Sequence, residues 1–274
     1  EKFWMTEEQI QEFSGLNNPC VAKMQFLPSI LHTFEELAET MKVGSEKCGL
    51  EYAQFNTFYE TMDTVSQAMH SKHLVPRYLP KIGIEERLKA GIRVLDVACG
   101  SGFHALLLAQ TYPASTFIGA DISEKAIGMA KEKQAKLGLT NLEFVVADAG
   151  KMPAEWTESF DFITIFDACH DQMRPDLCLN EVYRMLKPDG LFSMLEVNGT
   201  SNAFEDKQRG CVFAVTFYTV SLFHCTPVGY NRPDALGLGA MWGERRAREL
   251  LQAAGFKEGL IKVERMEYFP ANVA

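Results

Sequence analysis

The stretch GIRVLDVACGSGFHALLLAQTYPASTFIGAD, residues 91–121, decides the fold. Residues 93–98 form a short run rich in Val and Leu, as a strand buried on both faces requires, and the run stops at Gly100-Ser101-Gly102. Residues 103–110 then show helical spacing and strong helix formers, so the glycines stand where a strand turns into a helix. Backbone N–H groups at such a turn can meet a ligand. About twenty residues beyond the glycines a second strand, residues 116–120, ends in Asp121, placed to accept hydrogen bonds from two ribose hydroxyls. Glycines followed by that acid predict a nucleoside-type ligand.

Outward from this unit the alternation continues. A capped helix over 123–137 leads to a third strand at 142–147, a fourth at 160–166, a helix at 175–186, a KPDG turn at 187–190 and a fifth strand at 191–197. Strand and helix alternating in this way predict an α/β fold with a parallel, doubly wound sheet, whose ligands bind at the carboxyl ends of the strands. Segments 260–266 and 268–273 suggest a closing antiparallel pair, bringing the sheet to seven strands. Residues 1–90 read as a helical appendage, with helices expected over 6–13 (a Thr-x-x-Gln start), 29–41, 52–70 and 74–90. Its aromatic set Tyr52, Phe55, Phe58 and Tyr59 reads first as helix packing.

Read as GxGxxA, the loop suits NAD as well. Asp96 distinguishes the two readings: a carboxylate inside an apolar strand is costly to bury without a partner, and S-adenosylmethionine brings an ammonium group there, whereas a pyrophosphate would be repelled. With Asp148 after the third strand, the pattern resembles class I S-adenosylmethionine-dependent methyltransferases. The resemblance implies that Asp96, Gly100 and Gly102 line the methionine end, Asp121 the ribose, and Asp148 with Ala149 the adenine; Ile122 and Asp167 are counted with them. Ala98 stands where many members carry a further glycine. Helices ahead of the first strand close over the cofactor in many such enzymes, which makes Tyr52 a further candidate contact.

The segments DVACGSG, FDACHDQ, FHCTPV, GLGAMWGE and EYFPANV resemble, over residues 50–274, a small-molecule methyltransferase family that carries a winged-helix domain ahead of the catalytic domain. That domain commonly serves dimer formation; only its trailing edge, residues 1–12, is expected in this chain, so the expected division is a helical 1–90 and a catalytic 91–274, with a homodimer possible. DACHD is also similar to the strand-end His-Asp of plant-type O-methyltransferases, which implies His170 as base with Asp171 beside it. Position supports this reading: His170 follows the fourth strand, imidazole has a suitable intrinsic pKa, and Asp167 or Asp171 can fix its tautomer. His224, in FHCTPV, is the reserve. Residues 198–243 interrupt the alternation with a segment rich in aromatics, read either as a substrate cover, with Phe213, Phe217, Tyr218 and Trp242 as acceptor contacts, or as a packed subdomain or dimer contact.

Composition narrows the classes further. The chain has 274 residues, a net charge of −9 and no Lys/Arg cluster denser than a helix surface carries, which argues against a nucleic-acid partner. Its seven cysteines include no CxxC pair, arguing against a disulfide framework and a metal site, and favouring a reducing, cytoplasmic setting. No run is apolar and long enough for a membrane span. The expectation is therefore a methyltransferase that uses S-adenosylmethionine to methylate an oxygen or nitrogen of a small molecule; a cofactor-binding dimer without catalysis and an NAD-dependent oxidoreductase are the alternatives.

Overall fold

The structure is a computed structural model and describes residues 4–7, 9–10, 27–55, 57–209, 214–266 and 272–273. Its centre is a parallel sheet of β1 (Arg93–Val97), β2 (Thr116–Asp121), β3 (Leu142–Val146), β4 (Phe160–Phe166) and β5 (Leu186–Val197), in the order β3-β2-β1-β4-β5. β1 to β4 sit within a residue or so of the expected positions; β1, β2 and β4 are apolar runs buried on both faces, while β3, beside β2 at one edge, exposes Glu143 and Val146. β5 begins early: Phe160 pairs with Leu186 and Phe162 with Leu191, so the predicted KPDG turn bulges out of a strand that is already in the sheet.

At the far edge Asn272–Val273 (β6) pairs antiparallel with Glu196 and Val197. Among the described residues the sheet has six strands rather than the expected seven. Residues 261–264, expected as a strand, have no regular structure, and residues 267–271 lie outside the described residues.

Helices cover both faces. Phe103–Thr111 and Glu124–Leu137 follow β1 and β2, and Pro175–Met185 and Gly243–Ala254 pack together beside β4 and β5. One core layer centres on Phe117, Phe144 and Phe162 with Leu88 and Leu108; the other centres on Ile163, Ile165, Leu179 and Met185. Each of these fully buried side chains contributes about 1.5–3 kcal/mol by leaving water. Ser123 caps Glu124–Leu137 as expected, its side chain accepting from Ala126 N–H at 3.2 Å.

The N-terminal region is more broken than its periodicity suggests. Thr6 and Gln9 form the expected reciprocal cap, but residues 8 and 11–13 of the expected 6–13 helix, and half of residues 1–12, lie outside the described residues. The expected 52–70 helix is a short turn, Tyr52–Gln54, and then Phe58–His70; the expected 74–90 helix divides into Leu74–Tyr78, Leu79–Ile82 and Glu85–Ala90, interrupted at Gly83. Rather than standing apart, this region joins the segment after β5. Ile30, Leu50, Phe55 and Phe58 share a buried cluster with Val228, and Leu50 N–H donates to the Pro227 carbonyl at 3.0 Å. The two together roof the carboxyl ends of the strands. Among the described residues no helix is long and apolar enough to cross a membrane.

Candidate active site

The strand order reverses direction between β1 and β4, and there the loops after neighbouring strands part to leave a crevice. A cavity of about 810 Å³ opens at this point. Its floor is built from strand ends: Asp96 and Ala98 from β1, Asp121 and Ile122 from β2, Asp148 and Ala149 after β3, and Asp167, His170 and Asp171 after β4. Two of these strand-end residues, Ala98 (φ 54°) and Asp167 (φ 53°), take left-handed backbone conformations, so the β1 and β4 loops turn sharply toward the crevice. The left-handed φ also explains why a glycine suits position 98.

Asp96 is buried. Its Oδ1 accepts from Thr164 Oγ1 at 3.1 Å, while its Oδ2 has no hydrogen-bond partner among the described residues. Burial raises its pKa to about 7; the Thr164 hydrogen bond opposes this and the charge of Asp121 adds to it. Asp121 braces the glycine loop, its Oδ2 accepting from Gly100 N–H at 2.8 Å and its Oδ1 from Ser123 N–H at 2.9 Å. Burial raises its pKa against the pull of those two bonds.

The two glycines of the loop have separate tasks. A Cβ on Gly100 would point into open space on the cavity side, whereas one on Gly102 would lie 2.6 Å from the Phe144 ring. Gly102 does not line the cavity. Contrary to the expectation that both glycines meet the ligand, Gly102 lets the helix Phe103–Thr111 approach β3.

Beyond β4 a buried polar cluster forms one wall. His170 Nδ1 lies 2.6 Å from Glu196 Oε2, and its Nε2 lies 3.3 Å from Asp171 Oδ1. Burial works to strip the imidazole of its proton, but Glu196 and Asp171 outweigh it and hold the pKa well above the ordinary histidine value. Glu196 is fixed by Cys169 N–H at 2.9 Å and Trp242 Nε1–H at 3.1 Å. His224 lies between the Phe58 ring, stacked at 4.3 Å, and Asp171, 3.8 Å from its Nδ1. Burial lowers its pKa to about 4 against the pull of Asp171. Tyr52, on the roof, donates its hydroxyl to Asp171 Oδ2 at 3.4 Å.

The acceptor contacts expected from the 198–243 segment separate. Phe217 lines the cavity. Trp242 is buried outside it as the support of Glu196, and Tyr218 points away, its hydroxyl donating to Asp206 Oδ2 at 2.7 Å. Phe213 lies outside the described residues. Sequence reasoning missed Glu196, although a carboxylate inside the apolar run of β5 is the same signal that singled out Asp96.

A family profile described as a methyltransferase domain matches residues 88–255, more than half of the chain. The chain is a class I S-adenosylmethionine-dependent methyltransferase. It is 29% identical over 184 residues to a ubiquinone/menaquinone biosynthesis C-methyltransferase of Pseudomonas fluorescens, covering 66% of this chain and 68% of that one. To a fatty-acid O-methyltransferase of Mycolicibacterium smegmatis it is 35% identical over 102 residues, 37% of this chain and 36% of that protein's length. Its fold matches the mitomycin 7-O-methyltransferase MmcR with a TM-score of 0.64 at 14% identity, over 99% of this chain and 75% of that one. The methyltransferase's cofactor is S-adenosylmethionine, and the residues present suit it: a buried, half-satisfied carboxylate at Asp96 matches an ammonium, and the open face of Gly100 leaves room beside the backbone.

Proposed function

We propose that the methyltransferase transfers the sulfonium methyl group to an oxygen or nitrogen of a small molecule held under the N-terminal roof. The observation that carries this reading is one cavity whose floor combines the loop of Gly100, Asp96 and Asp121 with the polar wall of Asp171, Tyr52 and His224. Asp96 Oδ2 holds the cofactor's ammonium, Asp121 its ribose, and Asp148 with Ala149 borders the adenine. Ile122 and Asp167 complete this floor. S-adenosylmethionine supplies an activated methyl group, so the chain's own task is chiefly to align the acceptor and exclude water.

His170 does not act as the general base in this reading. Both its ring nitrogens face carboxylates and it is held protonated, so it has no lone pair to offer a substrate hydroxyl. Its role is to hold Asp171 in place. The expected Asp171 to His170 order of support is thereby reversed.

The experiment is a calorimetric titration with S-adenosylhomocysteine of the wild type and of Asp121→Ala. Asp121→Ala removes the charge-assisted bonds to the ribose together with those that brace Gly100 and Ser123 N–H, so affinity falls by about tenfold or more. Unchanged affinity in Asp121→Ala, or nicotinamide-dinucleotide binding in place of S-adenosylhomocysteine, refutes the reading.

A further inference from the structure

Resting on the cofactor reading above, the wall opposite the glycine loop carries information about the acceptor. Asp171 is buried yet lines the cavity. Its contacts within the chain are loose: Oδ1 faces His170 Nε2 at 3.3 Å, Oδ2 takes a long hydrogen bond from Tyr52 at 3.4 Å with His224 Nδ1 3.8 Å away, and the Cys225 thiol lies beside the carboxylate. A carboxylate offers about four acceptor sites, and these loose contacts leave capacity for a donor from the cavity. Charge points the same way. Two carboxylates, Glu196 and Asp171, face one imidazolium, so the cluster keeps a net negative charge toward the cavity.

The cations at the cavity mouth do not reverse this. Arg174 is bound by Asp176 and, at 2.7 Å, by Asp234, which also pairs with Arg232. Lys151 stands exposed on the loop after β3, on the Asp148 side of the floor. Between the polar wall and the roof the surface is apolar, formed by Phe58, Met62, Phe217, Val220 and Val228.

We infer that Asp171 and Tyr52 form an acceptor subsite for a nucleophile that still carries a hydrogen, a hydroxyl or an amine on an apolar body, and that the subsite rejects carboxylates. During transfer the acceptor's lone pair forms the new bond to the methyl carbon as the carbon–sulfur bond breaks. Its electron pair stays on sulfur, giving the neutral thioether, and the hydrogen already bonded to Asp171 leaves as a proton to that carboxylate. The fatty-acid O-methyltransferase relative acts, by its name, on a carboxylate-bearing class, which this wall disfavours.

The test uses protein saturated with S-adenosylhomocysteine and three matched probes: 2-naphthol, 2-naphthylmethylamine and 2-naphthoate. Failure of S-adenosylhomocysteine to bind would count against the cofactor reading and is visible before any probe is added. With the cofactor product bound, naphthol and the amine bind at least about tenfold more tightly than naphthoate, and Asp171→Asn brings the three to within about threefold. Naphthoate binding as tightly as the donors, three probes that do not differ or do not bind, or a preference that survives in Asp171→Asn overturns the inference. Should Asp171→Asn fail to fold, the wild-type ratio decides alone.

Discussion

Asp96 offers the most quantitative prediction, because its burial sets a protonation equilibrium that the cofactor must compete with. In the free enzyme the carboxyl titrates at about 7, raised by burial. The ammonium of S-adenosylhomocysteine pairs with the ionised form, so below that pH each binding event must first expel a proton. The ionised fraction is about ten-elevenths at pH 8 and about one-eleventh at pH 6, so affinity falls by about tenfold between them, about 1.4 kcal/mol. The sign is fixed: binding weakens as pH falls, because the folded pKa lies above the ordinary carboxyl value and the neutral form dominates on the acid side. Calorimetry at pH 6, 7 and 8 in buffers of different ionisation enthalpy gives both the affinity and the proton count. Asp96→Asn removes the titration, leaving weaker binding with a flat profile over this range. A wild-type affinity that is flat from pH 6 to 8, or a slope that persists in Asp96→Asn, refutes the assignment of this carboxylate to the ammonium.

The two loop glycines are expected to fail in different ways. Gly102→Ala drives a Cβ into the Phe144 ring and strains a positive φ, costing about 1–3 kcal/mol of stability in denaturant unfolding; Gly100→Val folds, losing about 1 kcal/mol for its positive φ, but no longer binds S-adenosylhomocysteine. His170→Ala leaves Glu196 and Asp171 buried without their cation and lowers the unfolding free energy by about 3–5 kcal/mol. An effect of His170→Ala on turnover alone, with stability intact, would restore it as a base.

The floor of the site was legible in the sequence because strand ends announce themselves: Asp96, Asp121 and Asp148 each terminate or interrupt an apolar run, and a parallel sheet sends all such ends to one edge. What sequence periodicity cannot show is which side of a helix or strand end faces the ligand. Gly102 and Gly100 look alike in a GxG loop, but one packs on Phe144 and the other opens on the cavity. Trp242 and Tyr218 read as substrate aromatics, yet each hydrogen-bonds an internal carboxylate instead, Glu196 and Asp206. The charge environment of His170 was not legible for a related reason. Its motif gives the residue and its neighbour, but its charge depends on Glu196, 26 positions away on the adjacent strand. The break at Gly83 was legible in principle, since a glycine in a left-handed conformation caps Leu79–Ile82 there.

The most direct measurement is a crystal structure of the enzyme with S-adenosylhomocysteine. The expected result is the ammonium within hydrogen-bond reach of Asp96 Oδ2, the ribose hydroxyls on Asp121, the adenine beside Ala149, and the sulfur facing Asp171 across the cavity. A ligand bound elsewhere, or one in the cavity with its ribose away from Asp121 and its sulfur turned from Asp171, would contradict it.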